Sequence, residues 1–345
     1  FRDLIWIPGG EAIIDTDYVN TWRTLPSIPL HGEPVEWTGH VRRFYPDDAD
    51  HIFDWLAYTI QRPEEKINHA LVIGGPQGNG KDTILKPLFR VAPWIGGDAD
   101  LHVVMGDKQN WLYQRKLVLL NEAKRTQRAS PADIQNRLKP FLAETAAPML
   151  TLDLKYRHHV QQSNVSNFCI TTNYADALHL DDGERRYYVA WSDRDPEPDQ
   201  YYLDLHQWLD GSGAEQVWAW LQARDLDRFN PKARPPVTAG QETMREASLS
   251  RHAVKVREIL EDSEMWNRVV ETGDVYMEAS QDHMDRRQVA AAMKELGFQV
   301  VPRPGHSGGR WFKKIDGKSV SITFWALPTT KDAVIQAQSR FAKMK

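Results

Sequence analysis

Gly75-Pro76-Gln77-Gly78-Asn79-Gly80-Lys81-Asp82-Thr83 joins an apolar run at residues 70–73 to a stretch with helical spacing at residues 81–89. Strand, glycine-rich turn and helix form an order that aims successive backbone N–H groups at an anion, because glycine reaches the backbone angles such a turn requires. A helix N-terminus would add its partial positive charge. Lysine at a helix start opposes that dipole, and a bound phosphate removes the conflict. Lys81 therefore reads as the cation for the β and γ phosphates of a nucleotide, with Gly75, Gly78, Asn79 and Gly80 as the cradle. The pattern departs from the strict phosphate loop at one place: Asp82 stands where Ser or Thr ordinarily meets magnesium, and Thr83 follows it. Both are candidate Mg2+ ligands.

A second apolar run, 117–120, ends in Asn121-Glu122. A carboxylate at a strand tip beside a phosphate loop can orient or deprotonate water, which makes Glu122 the candidate base. Asn121 stands where Asp commonly serves the metal, so that contact falls to Asn121 or to water. A third run, 168–172, ends in Asn173, whose amide would position the lytic water or read the γ phosphate. After it, Glu184-Arg185-Arg186 leads into the strand-like run 187–191. Either arginine would stabilise transition-state charge on a neighbouring subunit's nucleotide, although such a pair also suits a surface ion-pair site. Ser130 and Pro131 signal the start of another helix. Residues 149–154 and 160–165 read as hairpin arms around Lys155, Tyr156, Arg157, His158 and His159. Cations mixed with aromatics suit phosphate contact and base stacking. The two histidines lack the thiolates or carboxylates that would complete a metal shell.

The net charge of −4 is unevenly distributed. From Arg286 onward, 12 lysines and arginines face only Glu295, Asp316 and Asp332, which signals affinity for a polyanion. Residues 1–47 read as an irregular lead-in, 48–229 as an α/β core, 230–250 as a linker holding Pro231, Pro235, Pro236 and Gly240, and 328–345 as a basic tail. Residues 251–327 run helix, helix, β-ribbon with a glycine-rich tip, the order of a winged helix. Its recognition helix would begin at Arg286, turning Val289, Met293 and Leu296 inward and Arg286, Arg287, Gln288 and Lys294 outward, with Arg310, Lys313 and Lys314 on the wing strand. Cys169 stands alone, which excludes an internal disulfide framework and a zinc site built on paired thiols. No run approaches 18 apolar residues and no basic-then-apolar leader is present, so a chain without a membrane partner, in a bacterial or host-cell cytoplasm, is expected. Phe1 in place of Met leads to the expectation of a fragment with an upstream domain. The 13 tryptophans suggest only core packing.

In order, GPQGNGKDT, LVLLNE, RLKPFLAE, TLDLKYRHHV, ITTN and ERRYYV resemble the superfamily 3 helicases, and within them the phage and plasmid primase-helicase branch. The resemblance covers about residues 48–191 and is weaker out to residue 327. It implies an α/β P-loop NTPase fold of the AAA+-like kind, here followed by the C-terminal winged-helix domain. It also implies a hexameric ring, ATP, Mg2+ and 3′ to 5′ movement on single-stranded DNA. By that resemblance Lys81 and the loop glycines bind phosphate, Glu122 is the catalytic carboxylate, Asn173 the sensor, and Arg186 or Arg185 the finger. Lys155 with His158 or His159 would project into the ring and hold the DNA backbone. Duplex DNA would meet Arg286, Arg287, Arg310 and Lys313. A primase, upstream in the chain or as a partner, is expected. Two rivals stay open: an ATP-binding replication initiator or loader without strand separation, and a P-loop kinase of small molecules, which needs an acceptor pocket and no ring.

Overall fold

The computed structural model describes residues 3–14, 18–121, 131–142, 149–156, 159–180, 183–305, 310–315 and 318–344. Glu122, Ser130, Arg157 and His158 lie outside the described residues, as do the side chains of Lys313 and Lys314. Two compact units are formed, one by Phe1–Leu180 with Glu184–Ser248 and one by Leu249–Lys345 with Asp181–Gly183.

The first unit opens with β1 (Asp3–Ile5), β2 (Ile13–Ile14) and β3 (Tyr18–Asn20), a small sheet of order β1-β3-β2. Helices α1 (Val35–Phe44) and α2 (Ala49–Gln61) precede β4 (Ala70–Gly74). Then come α3 (Lys86–Val91), β5 (Gly96–Ala99), α4 (Leu101–Val104), β6 (Leu117–Leu120) and α5 (Pro131–Leu142). The hairpin of β7 (Met149–Leu152) and β8 (Val160–Ser163) leads to β9 (Asn167–Thr172) and β10 (Tyr187–Trp191). Helices α6 (Asp199–Trp208), α7 (Ala214–Ala223) and α8 (Ala239–Ala247) complete the unit.

Five strands make one parallel sheet of order β10-β4-β9-β6-β5. Both faces of the central members are buried, so β4 and β6 are apolar runs and β9, though it carries Asn167, Thr171 and Thr172, is buried throughout. Leu71 and Ile73 enter the core that holds Ile52, Phe53 and Trp218, whereas Val72 enters the opposite core with Val118, Leu138 and Ile170. That alternation is the period of two expected of a strand between two layers. β5 has the sequence Gly-Gly-Asp-Ala, which carries no strand signal. A Cβ at Gly96 would lie 1.7 Å from Leu117 O, so the edge strand forms where only glycine lets it approach β6.

The domain boundaries need correction at three places. Residues 1–47, expected to be irregular, contain α1, whose Trp37, Val41 and Phe44 are buried in the sheet core. The linker expected at 230–250 contains α8, capped by Thr238 Oγ1 accepting from Gln241 N at 3.0 Å, with Met244 fully buried against the sheet. The expected basic tail contains α12 (Ala333–Lys343), whose Ala337 is buried in the second unit and whose Arg340 donates to Val269 O at 2.7 Å.

In the second unit α9 (Arg251–Asp262), β11 (Val270–Glu271), α10 (Thr272–Ala279) and α11 (Arg286–Glu295) precede β12 (Gln299–Val300), β13 (Arg310–Ile315) and β14 (Lys318–Ala326). β14 pairs antiparallel with β11, β12 and β13. Sequence spacing missed α10, and the expected wing-strand positions Arg310 and Lys313 fall on β13. Val289, Met293 and Leu296 are buried, as their spacing predicted. No helix among the described residues is long and apolar enough to cross a membrane.

Candidate nucleotide site

β4 ends at Gly74, and the chain then turns through Gly75, Gly78 and Gly80 at φ of 146°, 87° and 77°. A Cβ at Gly75 would stand 2.5 Å from Ser192 O, and one at Gly80 would stand 2.7 Å from the His40 ring. Both positions therefore need glycine for space as well as for conformation. The loop closes around Lys81, which is 7% exposed. Its Nζ donates to Gly75 O at 3.1 Å, Pro76 O at 2.8 Å, Asn79 Oδ1 at 3.1 Å and Asn173 Oδ1 at 2.6 Å. Asn79 is buried, and its side chain braces the loop between Lys81 and the Tyr45 hydroxyl. Neither Gly75 nor Asn79 lines the cavity over the loop. The helix expected from Lys81 is also corrected: a 3-10 turn, Lys81–Ile84, leads into the six-residue α3. With so short a helix, Lys81 rather than a long helix dipole is the positive group that the loop brings to the cavity.

A cavity of about 380 Å³ opens over the loop. Gly78, Gly80, Lys81, Asp82 and Thr83 form one wall, Thr171, Thr172 and Asn173 a second, and Lys86, Tyr202 and His206 a third. It thus lies outside the carboxyl ends of parallel strands, where open α/β sheets bind ligands. Asn121, at the tip of β6, accepts from Thr171 Oγ1 at 3.0 Å, so its side chain is held beside the tip of β9.

Behind the loop sits His40, 1% exposed on α1. Burial pulls its imidazole down to about 4, so the ring is neutral at ordinary pH. Gly80 O can only accept, so Nε2 donates to it across 3.2 Å while Nδ1 accepts from the Tyr201 hydroxyl at 3.0 Å. Tyr45 donates to Gly74 O at 3.1 Å. Sequence reasoning singled out neither residue. The spacing of Trp37, Val41 and Phe44 is the signal that would have placed His40 on a packed helix.

Arg185 and Arg186 stand just before β10, at the opposite end of the parallel strands from the loop: Ala70 N, at the start of β4, donates to Arg186 O at 2.8 Å. Arg186 pairs with the buried Glu184 at 3.1 Å. That carboxylate also accepts from both arginine backbone N–H groups and from Gln135 Nε2. Arg185 is exposed. Of the DNA-facing candidates, Lys155 lies on the β7–β8 turn and His159 is 71% exposed, 3.9 Å from Asp153. In the second unit Arg287 and Arg310 are exposed, and the exposed Arg286 lies 4.8 Å over the Tyr276 ring. Lys313 falls opposite Val320 in the β13–β14 ladder. Among the described residues no three His, Cys, Asp or Glu side chains gather as a metal site.

Residues 72–186, which contain the loop, Asn121 and Asn173, match a family described as of unknown function, DUF5906. Over 179 residues the chain is 27% identical to the DNA primase-polymerase of Nitratiruptor phage NrS-1. That match takes in half of this chain and 24% of the phage protein. The fold matches the apo structure of the NrS-1 C-terminal region, with a TM-score of 0.64 and 17% identity over 93% of this chain and 84% of that one. A second apo form of that region gives 0.63. The shared architecture is mixed α/β with a parallel sheet.

Proposed function

We propose that the first unit is an ATP-driven motor, an AAA+-like P-loop ATPase of the superfamily 3 type, and that the second is a winged helix that grips DNA. The chain would act as a DNA helicase in phage or plasmid replication, as a homo-oligomeric ring. The observation that carries this reading is the meeting of Lys81 Nζ and Asn173 Oδ1, 2.6 Å apart, on a cavity walled by a glycine loop and the carboxyl ends of parallel strands. Similarity to a phage protein whose name joins primase and polymerase supports a place in replication. It also supports a primase module beside this motor, upstream in the chain or as a partner, in the cytoplasm of the host.

Lys81 would exchange carbonyl acceptors for the β and γ phosphate oxygens of ATP. Asn173 Oδ1 fixes the ammonium, which leaves Nδ2 to donate to the γ phosphate or to the attacking water. The Asp82 carboxylate and the Thr83 hydroxyl share the cavity wall and suit Mg2+, which neutralises phosphate charge when bound. Glu122, one residue beyond Asn121, is the base we assign. Arg185 is the better finger, because Arg186 is committed to Glu184. Lying at the far end of the sheet from its own loop, Arg185 would serve a neighbouring copy. Lys155, His158 and His159 would hold single-stranded DNA, and Arg286, Arg287, Arg310 and Lys313 duplex DNA.

The test is ATP hydrolysis with and without single-stranded DNA, run beside strand displacement. DNA-stimulated hydrolysis and displacement, both lost in Lys81→Ala, are expected. Slow hydrolysis without displacement would make the chain an initiator or loader, and phosphoryl transfer to a small acceptor would make it a kinase.

A further inference from the structure

At the turn between β7 and β8, Tyr156 is 91% exposed. Its φ of 63° lies in the left-handed region that bulky residues avoid. The segment that leads into it, residues 153–155, is rooted in the body of the unit. Gln109 N donates to Asp153 O at 2.9 Å, and Asp153 N donates back to Gln109 Oε1 at 2.8 Å. Lys108 Nζ reaches both carboxylate oxygens of Asp153, at 2.8 and 2.7 Å, and Lys155 N donates to Asn110 Oδ1 at 2.9 Å. Two residues before the exposed tyrosine, Leu154 is buried in the sheet core. A large ring is thus held out into solvent on a fixed mount, in a backbone conformation that disfavours it. Such strain marks a position kept for contact rather than for folding.

The chemistry around the ring selects the occupant. Lys155 Nζ lies 4.8 Å from the ring centroid, and His159 is exposed beyond the turn. Cations beside one isolated aromatic face match a nucleotide, with a phosphate for the charge and a base for the ring. Protein docking ordinarily uses a contiguous apolar patch, whereas Thr151, Asp153 and Lys155 supply polar neighbours here. We infer that Tyr156 is a stacking platform for a nucleobase of single-stranded DNA, with Lys155 beside it holding the adjoining phosphate. This deepens the DNA reading given above and rests on it. Since every base has a π face, the contact would be indifferent to sequence but would require a base.

The test compares binding of the full chain to an oligothymidylate and to an abasic oligonucleotide of equal length, at one salt concentration and with a non-hydrolysable ATP analogue. Wild type and Tyr156→Phe should prefer the oligothymidylate. Tyr156→Ala should weaken binding to that ligand about tenfold and leave abasic binding unchanged. Lys155→Ala should weaken both ligands alike. Loss in Tyr156→Ala that is equal for both ligands, or no loss, overturns the stacking role while sparing the DNA reading. Binding of neither ligand by wild type overturns both. A change of particle size in Tyr156→Ala without a change in base preference would instead assign the ring to contact between copies of the chain.

Discussion

Lys81 Nζ donates to Asn173 Oδ1 across 2.6 Å, joining groups 92 residues apart in sequence at the tips of two adjacent strands. On the proposed reading, Asn173 would set how freely the ammonium turns to a phosphate. Asn173→Asp would replace an amide oxygen by a carboxylate that competes with the nucleotide for Lys81. Weaker binding of a fluorescent ATP analogue is expected, with an unchanged or raised melting temperature. Asn173→Ala should lower hydrolysis on the order of a hundredfold, the scale set by losing one oriented polar group at a reacting phosphate. Unaltered binding in both variants would detach Asn173 from the site.

The two arginines before β10 should separate in experiment. Arg186→Ala removes the partner of a buried carboxylate and is expected to cost roughly 1–3 kcal/mol of stability, read by chemical denaturation. Arg185→Ala should leave stability untouched and nearly stop hydrolysis. Adding Lys81→Ala protein to Arg185→Ala protein should restore part of the activity, because mixed assemblies contain interfaces with an intact loop facing an intact arginine. Specific activity that stays flat on dilution to a monomer would defeat the trans arrangement.

Gly80 and His40 form a coupled pair. Gly80→Ala meets both a φ of 77° and the His40 ring 2.7 Å from the new Cβ. Its expected cost is about 1–3 kcal/mol, with loss of nucleotide binding as the loop shifts. In the double variant with His40→Ala the part of that cost due to the imidazole should disappear, while the backbone part and the contact with the Tyr202 ring, 3.0 Å from the new Cβ, remain. A strictly additive double-mutant cycle would show that His40 does not seat the loop.

Acid sensitivity follows from buried imidazoles. Burial lowers His40 and His69 to about 4 and His51 to about 3. His51 and His69 face each other with Nε2 atoms 3.0 Å apart, one donating and one accepting, which requires the accepting ring to be neutral, and burial keeps both rings neutral at ordinary pH. Unfolded imidazoles take up a proton near 6.5, so between about pH 6.5 and 4 the unfolded chain binds more protons. Stability is then full above that window and falls as pH falls through it, by up to about 1.4 kcal/mol per pH unit for each such histidine. Denaturation midpoints at pH 7.5, 6 and 5 should show the decline, and His51→Phe should flatten it.

Much of the first unit was legible because a sheet buried on both faces writes itself as short apolar runs: β4, β6 and β9 read that way, and Asn173 falls where a run ends. β5 was illegible, since its two glycines are selected by the closeness of Leu117 O and not by strand propensity. α1 was hidden by the prolines and tryptophans around it, although Trp37, Val41 and Phe44 carry helical spacing. α8 and α12 were read by composition, as linker and tail, before their buried faces were considered. Of the residues that line the cavity, Gly78, Gly80, Lys81, Asp82, Thr83 and Asn173 stood out by type and position. His40 and Tyr45 did not, because their work is to support a backbone turn 40 and 29 residues away along the chain.

β10 closes one side of the parallel sheet, and its outer carbonyl at Val189 accepts from Thr238 Oγ1 at 2.6 Å, with Gly240 lying against the same atom. An edge strand left bare is a template for strand addition by another chain. Thr238 and the start of α8 occupy that template from within. A strand added at this point of the edge would first have to displace that segment. The same arrangement makes the connecting segment a guard against misassembly. Replacing Thr238 by valine would take the side-chain donor from the Val189 carbonyl and loosen that guard without touching a residue that lines the cavity over the glycine loop.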